Sequence, residues 1–534
     1  MKRTGSRAIF GLVLALLVAA VAGGGYASQV RATTNEEADA EASRRLFSTL
    51  LSLVEENSAT EIDSDKAVYG AIDGMLRTLD PHSKFFNPKD FRTLREDQRG
   101  RYYGLGITVS ARFGKVTVVS PPFPGSPAEK VGLRVGDVIT HVNGEPTKGL
   151  ELNDVVARLK GDRGTTVRVT IARPGIEEPI QYSVVRDEIA KFTISNSFLI
   201  RPKVGYIKIE SFAETTSGEL RQALNKLDNK NLDGLILDLR NNPGGLLQEA
   251  IEVSQLFLQK GQAILETRGR TSGSVREYVS ERVNNDNTYP LVVLINQASA
   301  SASEIVAGAI QDHDRGLILG QTSFGKGLVQ SVYPLSKNAG LALTTQKWYT
   351  PSQRLIQRDY SHISQFDYYS HRGNPAEQPK TDIHRSLNLG RVLYGGGGIT
   401  PDHIIEDVKA NELQETLAGA SAYYRFVQGF LAKNPKVDAS FQVSDAMLAE
   451  FKQALQKWGI PFTDADFEAN SDFIRREIRR EVVYARLGVY EASRVMMEGD
   501  PLVLKAIELL PEAKDLYRRA REAPKSNRQV VQQR

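Results

Sequence analysis

The chain has 534 residues, 41% apolar and 25% charged, a composition that suits several packed domains and excludes a disordered polyelectrolyte. It contains no cysteine, so disulfides, thiolate zinc sites, a cysteine nucleophile and a cysteine-linked lipid anchor are excluded. The net charge of +4 is no nucleic-acid footprint: residues 1–27 hold three basic residues and no acid, and without them the charge falls to +1.

The N-terminus runs from basic MKRTGSR into the apolar stretch Ala8 to Ala22 and on into small residues. That order is the order of an export signal. Residues 1–32 are expected to be a signal peptide or, if uncleaved, an N-terminal anchor, although the apolar stretch is short of the roughly 20 residues of a spanning helix. The rest of the chain is then exported, to the periplasm or cell envelope. Residues 33–97 read as helical. Leu46, Leu50, Leu51 and Val54, then Val68, Ile72, Met75 and Leu79, recur at helical spacing, and Asp80-Pro81 stops the second helix.

At about residue 98 the pattern turns to strands. YYGLGITVS and KVTVVS alternate, AEKVGL and LNDVVARLKG read as helices, and VGDVITHVNG, TTVRVTIARPG and PIQYSVV as further strands. Through GLGI and SPAEKVGLRVGDVITHVNG, residues 98–188 resemble a PDZ domain. Successive N–H groups of a glycine-rich turn form an anion nest. A strand edge beside the nest takes a peptide as an added strand, its C-terminal carboxylate in the nest. The resemblance gives that role to Gly104, Leu105, Gly106 and Ile107, and makes Arg134 in GLRVGD a candidate sensor of the bound tail.

Residues 189–408 alternate strand and helix. VGYIKIESF, DGLILDLR, PLVVLIN and RGLILG are apolar strands; SGELRQALNKLD, GLLQEAIEVSQLFL and SASEIVAGAIQDH are the helices between them. This predicts an α/β core with a buried sheet. Residues 355–398, polar and rich in Tyr and Gly, read as an inserted loop or lid. Residues 409–534 return to charged amphipathic helices and a polar tail. The whole is an α/β multidomain chain with a helical N-terminal region, a PDZ domain, an α/β core and a helical C-terminal extension.

The segment GQTSFGKG, residues 320–327, nearly makes a phosphate-binding loop, but Gly327 stands where a Mg²⁺-ligating hydroxyl is needed, and LVQSVY reads as a strand rather than a helix. No H-E-x-x-H, no histidine pair at metal spacing and no G-x-S-x-G occurs, so no metal or other cofactor is expected. What stands out is QASASASEIVAGAI, residues 297–310, at a strand-to-helix turn. Ser301-Ala-Ser-Glu304 is readable as a capping box, common at helix starts. The alternative makes Ser301 a nucleophile, which needs an adjacent base. Lys326, between Gly325 and Gly327 one strand further on, serves if its amine is neutral. Neighbouring strands of an open α/β sheet present their C-terminal ends side by side, where such residues meet.

Together SASASEIVAGAIQD, GQTSFGKGLVQ, DLRNNPGG, TLDPHSKFF, GITPD and the PDZ segment resemble the carboxy-terminal processing proteases, tail-specific serine–lysine endopeptidases, over residues 33–408. The resemblance implies Ser301 as nucleophile, Lys326 as general base and Gln330 as the group that orients the lysine amine. It places the oxyanion donors at Ala302 and at Gly244 or Gly245, and requires no cofactor. It implies polypeptide substrates with apolar C-terminal tails and a homodimer formed through the helical ends, and it leaves room for an envelope adaptor. Two departures stand out: Gln353 replaces the glycine usual after TPS, and the 355–398 segment is long and Tyr-rich. Two rival readings are a non-catalytic envelope scaffold and a penicillin-type acyl transferase built on Ser323-x-x-Lys326. The second needs a helix that Gly325 and Gly327 disfavour.

Overall fold

The N-terminal periodicity becomes two helices, α1 (residues 39–57) and α2 (Ser64–Arg77). Asp63 caps α2 by accepting the Lys66 N–H. Asp80 then accepts the N–H groups of His82 and Ser83, both at 2.8 Å, and turns the chain into strand β1 (Lys84–Phe86). The apolar stripe of α1 is uncovered: Leu46 is 61% and Leu50 52% exposed. These elements belong to the first of two units, Met1–Asn87, and the second is Pro88–Arg534. The structure, a computed structural model, describes residues 39–524 except 113, 284–287, 362, 371–381, 407–408, 435 and 439. The expected signal or anchor lies outside the described residues.

The second unit opens with α3 (Pro88–Arg99) and β2 (Arg101–Gly104). Then come β3 (Val109–Arg112), β4 (Lys115–Val118), α4 (Pro127–Val131), β5 (Val138–Val142), β6 (Glu145–Pro146), α5 (Leu152–Leu159), β7 (Thr166–Ala172), β8 (Ile180–Val185) and β9 (Asp187–Ala190). Strands β3, β4, β5, β7 and β8 form one sheet in that order, so β3 is an edge; β2 pairs with β9 outside it. The alternating segment YYGLGITVS is therefore two strands, broken at Leu105–Thr108. Gly106 explains the break. Its φ is +78°, and a Cβ there would sit 2.4 Å from the Ser126 Cβ, so only glycine makes the turn.

The core sheet runs β10 (Ile194–Arg201), β11 (Val204–Ile209), β12 (Gly234–Asp238), β15 (Leu291–Ile295), β16 (Leu317–Gly320) and β21 (His403–Ile404) in spatial order. All neighbours are parallel except β10 and β11. Every residue of β12, β15 and β16 is buried, as strands covered on both faces require. One face packs on α6 (Thr216–Lys226), α7 (Leu247–Gln255) and α8 (Ala302–Asp312). A second sheet, unforeseen in part, joins β13 (Ala263–Gly269) and β14 (Arg276–Val279) to β18 (Gly340–Tyr349), which also pairs β17 (Leu328–Pro334). The Tyr-rich segment contributes α9 (Gln365–Ser370) and the hairpin of β19 (Ile383–Arg385) and β20 (Val392–Tyr394).

After β21 come α10 (Glu412–Gly419), α11 (Ala422–Lys433), α12 (Asp445–Lys457), α13 (Asp464–Ala469), α14 (Ser471–Leu487), α15 (Val489–Glu498) and α16 (Pro501–Glu522). α10–α14 bury a core of their own around Phe451, Ile474 and Ile478. α16 does something else: Leu502, Val503, Leu509, Leu510 and Leu516 pack on Tyr206, Ile236, Val292 and Leu294, covering the second face of the core sheet. At roughly 1.5–3 kcal/mol for each buried leucine, α16 is part of the fold and no appendage.

Candidate active site

Three loops leave the C-terminal ends of three adjacent parallel strands. Asn241–Gly245 follows β12, the serine run follows β15, and the Lys326 loop follows β16. This is the edge at which open α/β sheets build their sites. The sheet therefore brings together residues far apart in sequence before any side-chain contact is considered.

The three serines of the run divide the work. Ser299 and Ser303 are fully buried. The Ser299 hydroxyl donates to the Leu239 carbonyl at 2.8 Å, and the Ser303 hydroxyl to the Asn242 carbonyl at 3.0 Å. Asn242 O also receives the Ala300 N–H at 3.0 Å. Two serines thus stitch the serine turn to the β12 turn, and Ser301 alone of the three is only half-buried. It precedes α8 with φ +54° and ψ −111°, a conformation that costs a non-glycine residue of order 1–3 kcal/mol. A strained strand-to-helix turn carrying a serine is the device of a nucleophile elbow, reached here without its glycine motif.

Glu304 is the hub. Its side chain is wholly buried and accepts four hydrogen bonds. Oε2 takes the Ser301 N–H at 2.7 Å and the Lys326 N–H at 2.9 Å. Oε1 takes the Gly325 N–H at 2.6 Å and the Ser323 hydroxyl at 2.5 Å. Because one oxygen holds both backbone nitrogens, those of Ser301 and Lys326 lie no further apart than the sum of the two distances. Burial pushes the Glu304 carboxyl above its ordinary value, opposed by these four donors. The capping-box pattern located this residue, but not its reach into the Lys326 loop.

Lys326 is half-buried, and its Nζ donates to Gln330 Oε1 at 2.8 Å. A register shift in the β17–β18 ladder falls between Val329 and Gln330, and bulges of this kind re-aim a side chain. The Tyr-rich segment braces the same loop. Gln357 Oε1 accepts the Gly327 N–H at 2.9 Å, and the Arg358 N–H donates to the Gly325 carbonyl at 2.9 Å. Phe324 stands edge-on to Tyr368, centroids 5.5 Å apart, and both pack with Ala300, the residue before Ser301.

The β12 turn carries the candidate donors. Gly244, at φ +96°, lies against Ser301: a Cβ there would fall 2.7 Å from the Ala300 carbonyl oxygen and 2.8 Å from the Ser301 Cβ. Its N–H donates to Asn242 Oδ1 at 2.9 Å. The Gly245 N–H has no acceptor among the described residues. Asp238 and Arg240 anchor the turn: Arg240 pairs with Asp238 at 2.7 Å and with Asp500, the cap of α16, at 3.0 Å. Sequence reading missed both roles, although DLR at a strand's end was visible.

We expect Gly244→Ala to keep the fold but lower kcat by about 100-fold, since misplacing reacting groups by an ångström costs on that order. Stopped assays beside a melting curve check it; unchanged kcat would detach this turn from the chemistry.

Ser323 is 1% exposed, bonded to Glu304 and to the Ile399 N–H, and residues 321–327 are not helical. The S-x-x-K arrangement does not form. Gln353 has φ +67°, and its side chain reaches Arg268 and Glu266. In the PDZ sheet, the N–H groups of Leu105, Gly106 and Ile107 have no acceptor among the described residues, beside the free edge of β3. Arg134 is exposed; its N–H is held by Asp137 Oδ2 at 2.8 Å, outside the Ser301 cluster. Among the described residues no group of His, Asp or Glu is placed to hold a metal, and no helix is long and apolar enough to cross a membrane.

Fold and site define a serine-type endopeptidase that carries a PDZ domain. Residues 203–363 match the model of peptidase family S41, and residues 118–173 that of the PDZ domain. A carboxy-terminal-processing protease of Bartonella bacilliformis is 39% identical over 61% of this chain and 75% of its own. A carboxy-terminal processing protease of Bacillus subtilis is 34% identical over 65% of this chain and 74% of its own. Among solved structures, a photosystem II D1 C-terminal processing protease is 28% identical over 65% of this chain and 84% of its own, with a TM-score of 0.35. The chain belongs to the carboxy-terminal processing proteases of family S41.

Proposed function

We propose that this chain is an exported Ser301–Lys326 endopeptidase that captures the apolar C-terminal tails of polypeptides in its PDZ groove and cleaves them in the adjoining core. Residues 98–188 and 189–408 carry these two tasks. The observation that carries the reading is the single Glu304 oxygen that accepts both the Ser301 and the Lys326 N–H. The neutral amine of Lys326, oriented by Gln330, takes the Ser301 proton as Oγ attacks the scissile carbonyl. The oxyanion is met by N–H groups of Ala302 and of the β12 turn, where Gly245 is the donor left without an internal partner. The ammonium of Lys326 then protonates the leaving amine, and water resolves the acyl-enzyme. The uncovered stripe of α1 supports self-association; a homodimer, an envelope adaptor and an N-terminal anchor belong to this same reading.

An unfolded reporter with an apolar tail tests it. Converting the tail's carboxylate to an amide is expected to lower kcat/KM at least about tenfold, mostly through KM, because the nest loses a charge-assisted partner. Equal turnover of both reporters would remove the tail-capture step.

A further inference from the structure

Outside the catalytic cluster, a charged cleft of about 850 Å³ lies between α3, the β2 and α5 side of the PDZ region, and the turn joining β17 to β18. Six cations line it: Lys89, Arg92, Arg95, Arg99, Arg101 and Lys160. Only two acids do, Glu96 and Asp162. Lys160 pairs with Glu96 at 3.0 Å, and Arg101 with Glu188 at 3.3 Å. Lys89, Arg92, Arg95 and Arg99 have no ion pair among the described residues, and all four are exposed. Their spacing of three, three and four puts them along one face of α3, a stripe about 15 Å long. Four like charges so aligned repel one another unless an anion lies among them.

The position of the cleft says which anion. One wall contains Tyr103, immediately before the Gly104–Ile107 nest, and Lys160, immediately after the helix beside the groove. The opposite wall is Pro334 and Leu335, at the far end of the strand that begins two residues after Lys326. Phe91, Tyr103, Pro334 and Leu335 interleave apolar surface with the charges. A recess walled on both sides admits an extended polypeptide but not a flat bilayer. We propose that this cleft is a second substrate subsite, which takes an acidic stretch of the polypeptide upstream of its captured tail. The inference rests on the tail-capture reading and adds a charge preference to it.

The test uses the full chain carrying Ser301→Ala, so that binding is read without turnover. Fluorescent peptides share one apolar tail and differ upstream in a block of Glu, Ser or Lys; a fourth carries the Ser block and a C-terminal amide. At low salt the Glu peptide should bind about tenfold tighter than the Lys peptide, and the preference should vanish in molar salt. In the triple variant Arg92→Gln, Arg95→Gln, Arg99→Gln, the Glu-to-Ser affinity ratio should fall to about one. Equal affinities in the parent, or a preference that survives the triple variant, overturn the proposal. So does sedimentation of the parent but not the variant with phosphatidylglycerol vesicles when no peptide preference is found. The amide peptide keeps the two readings apart: if it binds as well as the Ser peptide, tail capture fails whatever the charge preference.

Discussion

Replacing Ser301 with alanine should lower hydrolysis of a tailed reporter by about 10⁴- to 10⁶-fold, and Lys326→Ala should do nearly the same, with the double variant little worse than either. Residues that act as one unit lose their joint contribution when either is removed. Lys326→Arg should not restore activity, because a guanidinium stays protonated and cannot accept the serine proton. Ser301→Gly separates chemistry from strain. It should be as inactive as the alanine variant yet unfold at a higher temperature than that variant, since glycine adopts φ +54° without the steric cost. Rates from purified protein and paired melting curves check all five variants. Full cleavage in both single variants would move the chemistry away from this pair.

Much of the frame was legible because it depends on local chemistry. Fully apolar runs such as GLILD and LVVLI announce strands buried on both faces, and the turns after them carry the glycines and serines that a sheet end can use. What escaped depends on long-range packing. Resemblance placed a turn at GLGI, but its physical cause, the close approach of Gly106 to Ser126, is not written in the local pattern. β13 and β14 escaped because strands that are only partly buried have no continuous apolar run. α16 looked like any charged amphipathic helix; that its stripe meets the catalytic sheet follows from topology that no local pattern encodes. The sequence singled out Ser301 through its capping pattern and the resemblance, but gave Ser299 and Ser303 no work; their hydroxyls are committed to the neighbouring turn.

Glu304 is the sharpest case, because its local reading was sound and incomplete. A capping glutamate needs only to reach back to its own helix start, and replacing it should cost little. Here it also ties down the Lys326 loop: the N–H groups of Gly325 and Lys326 and the Ser323 hydroxyl all point at it. In Glu304→Gln one oxygen becomes an amide nitrogen, so at least one buried backbone N–H loses its acceptor. That costs about 1–3 kcal/mol, and the loop must shift to relieve it. We expect the variant to fold, to melt earlier and to lose about 100-fold in kcat, while KM for the tailed reporter changes little because the PDZ nest is untouched. A cap alone would move the melting temperature and leave kcat in place. The pH dependence gives a second check. Burial holds the Glu304 carboxyl above its ordinary value of 4.5, so the folded state binds its proton more tightly than the unfolded chain. The stability this contributes is complete below pH 4.5 and is lost as pH climbs through the raised value. The glutamine variant has no such proton. Its stability deficit against the parent should therefore be greatest in acid and narrow toward neutral pH, and a deficit that widens with pH would show that the four donors, not burial, govern this carboxylate.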